Sequence, residues 1–188
     1  MKIYATYGLT GALLGALQTL ALFLFGLHGD RIHLLNDWKV WLPLMILGLV
    51  ISVVIIVLGM KAWRTESGPK GMSYGRGLGV GLLIGVWQGL GTMVFTLVYG
   101  LVINPGFKDA MIANQVAQME AKGTPQQAIE MAEKIANFTM NPIFQAVMAV
   151  PGTAIWTLLV SLVVAAFLRR AAVEEPFVDA PPAVPPAA

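Results

Sequence analysis

The 188-residue chain contains no cysteine. It therefore has no disulfide, no thiolate metal site and no cysteine nucleophile. Charge is nearly as scarce, with Asp, Glu, Lys and Arg making up 12% of residues, about half of the roughly 25% usual in a soluble domain. The net charge of +2 is spread along the chain. That excludes the dense basic face of a nucleic-acid binder. What remains is apolar: 57% of residues are hydrophobic and the mean hydropathy is +0.73. A chain this short has no core large enough to hide so much apolar side chain, so the excess must face lipid.

Four apolar spans stand out, at about residues 4–27, 41–60, 77–103 and 144–168. Each is near the ~20 residues that a bilayer requires. None contains Asp, Glu, Lys, Arg or His. The expected fold is an all-α membrane protein of four transmembrane helices over residues 1–170. The first span exceeds the apolar core of a secretory signal and no Ala-x-Ala site follows it, so it reads as a retained helix. Lys2, Lys61, Arg64, Lys70, Arg76, Arg169 and Arg170 fall on one side. The other side holds Arg31, Lys39, Lys108, Lys122 and Lys134. By the excess of positive charge, both termini are expected to be cytoplasmic. Trp38, Trp41 and Trp63 sit near span ends, where aromatic rings anchor.

The glycine-rich stretch GMSYGRGLGVGLLIGVWQGLG raises a choice between a phosphate-cradling loop and a membrane helix. Gly75, Gly77 and Gly79 fail the dinucleotide fingerprint because position 80 is valine, and no Gly-Lys-Ser/Thr follows. No cofactor site is expected. Instead, Gly77, Gly81, Gly85 and Gly89 recur every four residues and stay on one side of a helix. Gln88, Thr92, Thr96 and Tyr99 project from nearly the same side. Small residues let helix backbones approach closely in lipid, where van der Waals contact replaces the hydrophobic drive. Helix one carries a matching surface in Gly8, Gly11, Ala12, Gly15 and Thr19. Helix one is therefore expected to pack on helix three, with Gly15 near Gly85 and Gln18 within about one turn of Gln88. This face reads as helix glue or, alternatively, as the lining of a pore.

Outside the spans, HGDRIHLLNDW brings together His28, Asp30, His33 and Asp37, but their spacing matches no common zinc site. The larger segment, residues 104–142, begins and ends with Asn-Pro. It is expected to form an extracytoplasmic helical hairpin between helices three and four. Phe107–Ala121 has helical spacing and Gly123 ends it; Thr124 then caps a second arm with Pro125 at its first position. Each arm is too short to be stable alone, so the hairpin should lie on the bilayer, cap the bundle or dock a partner. Pro151-Gly152 is expected to loosen the last span. Residues 171–188 form a Pro/Ala-rich acidic tail with little to bury, expected to be disordered.

These features together, with the closing stretch NPIFQAVMAVPGTAIWTLLVSLVVAAFLRR, give a recognisable pattern. The chain resembles the bacterial membrane proteins grouped as domain of unknown function 4199, over roughly residues 1–170. The resemblance implies a four-helix membrane protein and carries no activity or site residues. Ser73-Tyr74 leads into glycines here, whereas family members usually continue with a charged or alanine-rich entry. An enzyme is not expected, because intramembrane ionisable groups are absent. Two readings stay open. One is an accessory or scaffolding subunit that docks on other membrane-protein subunits. The other is a homo-oligomeric channel or small-solute permease using the Gly/Gln/Thr face of helix three.

Overall fold

The computed structural model describes residues 2–68 and 72–169, in which all regular structure is helical. In chain order the α-helices are α1 (Lys2–Leu24), α2 (Trp38–Glu66), α3 (Tyr74–Val98), α4 (Phe107–Ala121), α5 (Gln126–Thr139) and α6 (Pro142–Leu168). Four of them, α1, α2, α3 with its continuation to Ile103, and α6, are long and apolar enough to cross a membrane. The acidic tail at 171–188 lies outside the described residues.

Caps and glycine turns decide where these helices start and stop. The Asp37 side chain accepts a hydrogen bond from the Lys39 amide, and Ser73 accepts one from Arg76. Asn141 accepts from Ile143 and Phe144. Each satisfies donors that a helix N-terminus leaves unpaired. Pro142 follows Asn141 at a position where no amide donor is needed. Gly26 ends α1 with φ +78°, while the Leu27 amide donates to the Leu22 carbonyl at 2.9 Å. Only glycine enters that left-handed region cheaply.

Gly123, with φ +70°, closes α4 in the same way. The expected cap at Thr124 is not found: Pro125 is the last non-helical residue, no side chain caps α5, and α5 starts at Gln126. Thr124 is spent on the closing turn of α4, donating its amide to the Met119 carbonyl at 3.0 Å. In α6 the helix runs on through Pro151.

The core lies at the end of the bundle where α2 stops, α3 starts and α6 stops. Ile55, Ile56 and Met60 of α2 pack there with Met72, Val80 and Ile84, and with Val164 and Ala165 of α6. Tyr4 and Tyr7 of α1 cover this cluster. At the opposite end sit the α1–α2 connection and the α4–α5 hairpin. Asn36 and Asn114 exchange amide hydrogen bonds at 3.1 Å, and Gln118 donates to Asn36 at 2.8 Å. The hairpin is thereby fastened as a cap on the bundle.

Candidate functional site

The row Gly77, Gly81, Gly85 and Gly89 packs against α6, not α1. A Cβ on Gly77 would lie 2.8 Å from the Ala165 Cβ. On Gly81 it would run into Ser161 Oγ, and on Gly85 into Thr157 Oγ1 and within 2.9 Å of the Ala154 Cα. α6 offers a matching strip in Ala154, Thr157, Ser161 and Ala165, all buried. Ser161 and Thr157 turn their hydroxyls back onto their own helix, at 2.6 Å to the Thr157 carbonyl and 3.1 Å to the Ala154 carbonyl. The one proton of the Thr153 hydroxyl is shared between the Ala149 carbonyl of its own helix at 2.7 Å and the Gly85 carbonyl of α3 at 3.0 Å. The signal for this pairing is legible in the sequence as small residues at three- and four-residue spacing in α6.

α1 does pack on α3, along a neighbouring side. A Cβ on Gly8 would fall 2.6 Å from the Ile84 carbonyl and the Trp87 Cβ, and one on Gly11 would meet the Gln88 side chain at 3.1 Å. Ala12 fits over Gly91, at 2.7 Å from a Cβ built there. Gly15 has nothing within 4 Å and is not near Gly85, whose space α6 fills. Gln18 is also not paired with Gln88. Gly11 is the residue level with Gln88, so Gln18 lies about 10 Å further along α1. Its amide donates instead to the Leu44 carbonyl of α2 at 3.3 Å.

Beyond this tight half the helices leave a cavity of about 340 Å³. Its walls are the Gly11–Thr19 side of α1, the Gln88–Gly100 side of α3 and the start of α6 at Pro142 and Gln145. Of the predicted residues, Gly11, Gly15, Gln88 and Thr92 line it. Gly15 and Gln145 are exposed as well as lining it, so the cavity is open. Among the described residues, no hydrogen bond engages the side chains of Gln88, Thr92, Thr96 or Gln145. Among the described residues, Lys108 is the only Asp, Glu, Lys or Arg lining it.

The roof is a fixed polar and aromatic network. α3 ends in one wider turn, Tyr99–Ile103, where the Asn104 amide donates to the Tyr99 carbonyl at 2.7 Å. Such turns recur at functional sites. This turn aims Tyr99 at His28, with 2.6 Å between the phenol oxygen and Nδ1. Asn104 Nδ2 donates to the His28 carbonyl at 3.0 Å and to the Tyr99 oxygen at 3.1 Å. A carbonyl accepts only, which fixes the orientation of the Asn104 amide. The Tyr99 phenol and the His28 Nδ1 share one hydrogen bond, whichever ring nitrogen carries the proton. Burial holds the His28 pKa below its ordinary value, in keeping with a neutral ring. Phe107 packs on His28 with ring centroids 4.5 Å apart, and Phe95 stacks on Tyr99 at 5.7 Å. His28 is thus a structural member of the roof. Asp37, nine residues further along the chain, caps α2.

Chemically, this arrangement offers hydrogen-bond donors and acceptors and one positive charge in a preformed space. It defines a four-span helical membrane protein with a capped, partly polar internal cavity. The chain belongs to the family described as "Protein of unknown function (DUF4199)", whose model matches residues 6–170. No curated protein and no solved structure matches it.

Proposed function

We propose that the protein is a non-catalytic accessory or scaffolding subunit of a larger complex in the bacterial cytoplasmic membrane. In this reading both termini are cytoplasmic and the α4–α5 hairpin faces outward. The hairpin carries the argument. α5 buries Ile129 and Ala136 but leaves Met131, Ile135 and Phe138 between 58% and 66% exposed. These three residues share one side of the helix, at four- and three-residue spacing. The row is held in a fixed position, because α4 is bonded to Asn36 and the α4–α5 turn is short. A rigid apolar row outside the long spans is what a docking subunit presents to a partner. Sidedness rests on Lys2, Lys61, Arg64, Arg76 and Arg169, which all lie at the end opposite the hairpin.

Native mass spectrometry after gentle extraction tests the reading. A stoichiometric foreign subunit is expected, released when Ile135 and Phe138 are both replaced by Asp. A homo-oligomer that survives this double substitution would overturn it. The second reading, a permease, is favoured by one observation: Gln88 and Thr92 face a cavity that reaches mid-span. Flux through liposomes containing the pure protein would transfer the weight to it. The glycine row itself is occupied by α6 and has no free face to line a lumen.

A further inference from the structure

The cavity has a shape and a charge pattern that docking leaves unused. At 1.5 Å per residue, the lining from Gln88 to Tyr99 extends about 16 Å along α3. A space of about 340 Å³ drawn out over that length is long and narrow. One extended chain fits such a passage; a second helix, about 10 Å across, does not. The two ends differ. Gln88 lies at the middle of the span Tyr74–Ile103, and its amide has no partner among the described residues. Such an amide left dry in hydrocarbon costs several kcal/mol, so water or a ligand must reach it. At the other end Lys108 brings the one formal charge among the described residues, none of which places a carboxylate in the lining to receive a cation.

We propose that this cavity binds an elongated monoanion, with its anionic group at Lys108 and an uncharged hydrogen-bonding group at Gln88. The hydroxyls of Thr92 and Thr96 accompany the middle of the chain, and the Phe95 and Phe107 rings supply apolar contact. Cations and zwitterions are disfavoured because their positive group finds no counter-charge. Two sources share the chemistry: a hydroxylated acyl chain entering from the bilayer, and a polyhydroxylated acid entering from water.

The test is scintillation-proximity binding to the full chain in nanodiscs, with tritiated 12-hydroxystearate and, separately, labelled lactobionate, a disaccharide acid long enough to reach along the lining. Saturable binding of either is expected, the first marking the bilayer source and the second the aqueous one. Lys108→Gln should weaken the bound probe about tenfold, the loss of one charge-assisted hydrogen bond. Methyl 12-hydroxystearate should bind the unaltered protein as weakly as the acid binds that variant. Gln88→Leu should weaken 12-hydroxystearate about fivefold and leave stearate unchanged. Gly15→Phe should abolish binding with the melting temperature retained, because a side chain there enters open space. No saturable binding of either probe would overturn the proposal. So would binding that is indifferent to Lys108→Gln and Gln88→Leu; because the Gln88 side chain also lies against Gly11 in the α1–α3 seam, the Gln88→Leu protein is compared only with its melting temperature retained.

Discussion

Replacing Gly85 with alanine tests how tightly α3 and α6 are joined. The added Cβ would sit against Thr157 Oγ1 and 2.9 Å from both the Ala154 Cα and the Thr153 carbonyl oxygen. Ordinary carbon contacts lie at about 3.5–4.0 Å, so the backbones must part locally by roughly 0.5–1 Å. A gap of that size forfeits a quarter to a half of each affected contact along the seam. Overpacking of this kind costs about 1–3 kcal/mol. Better helix propensity returns at most about 1 kcal/mol, the ordinary Gly-to-Ala difference in a helix interior. Two of the three close atoms are backbone, which puts the cost at the upper end, so Gly85→Ala should destabilise the protein by about 2 kcal/mol, roughly a 30-fold change in the folding equilibrium. Gly15→Ala is the internal control, since nothing lies within 4 Å of the new Cβ. It should be neutral or stabilising by up to about 1 kcal/mol. Equilibrium unfolding in mixed micelles, or steric trapping in bilayer discs, reads both variants on one scale. If Gly85→Ala matches the unaltered protein, or Gly15→Ala is equally damaging, the asymmetry between seam and cavity is refuted.

Tyr99→Phe removes the hydroxyl that joins His28 to Asn104 and should cost about 1–3 kcal/mol in thermal stability, with α3 itself still helical by circular dichroism. His28 has a folded pKa below its ordinary value of 6.5, so the folded state binds fewer protons than the unfolded one. Stability is accordingly full above about pH 6.5 and falls as pH drops toward the depressed pKa; His28→Gln should flatten a melting-temperature profile between about pH 7.5 and 5, and an unchanged slope would refute the buried neutral ring. Asn36→Leu breaks three side-chain hydrogen bonds to α4 and should raise amide exchange across Phe107–Ala121 without altering exchange in α3. Trp156→Phe removes the indole bond to Ser52 of α2, 3.0 Å long, and should cost about 0.6 kcal/mol in the same unfolding assay.

Much of the fold is legible because its causes are local. Four uncharged apolar runs need lipid wherever they fold, so the number of spans follows from composition alone. Gly123 and Asn141-Pro142 mark helix ends because left-handed backbone and a capped first turn each depend on one or two residues. The first arm, Phe107–Ala121, matches its spacing for the same reason. Thr124 marks the limit of such reasoning. Its cap chemistry was right for a helix start, but the closing turn of α4 had first claim on it.

Which faces meet was settled only in three dimensions. A small-residue strip states that some backbone comes close and does not say whose. α1 and α6 both carry one, and α3 accepts both: α6 on Gly77, Gly81, Gly85 and Gly89, α1 beside them on Ile84, Trp87, Gln88 and Gly91. Register was equally nonlocal, since Gly11 and not Gln18 comes level with Gln88, and the difference of about two turns moves an amide pair apart. The cavity has no motif of its own. It is the space left where two good seams on one helix diverge toward the capped end, and the roof that closes it joins His28, Tyr99 and Asn104 across more than seventy residues of chain. Composition made this chain a four-span membrane protein; the competition of two helices for the sides of a third made the cavity.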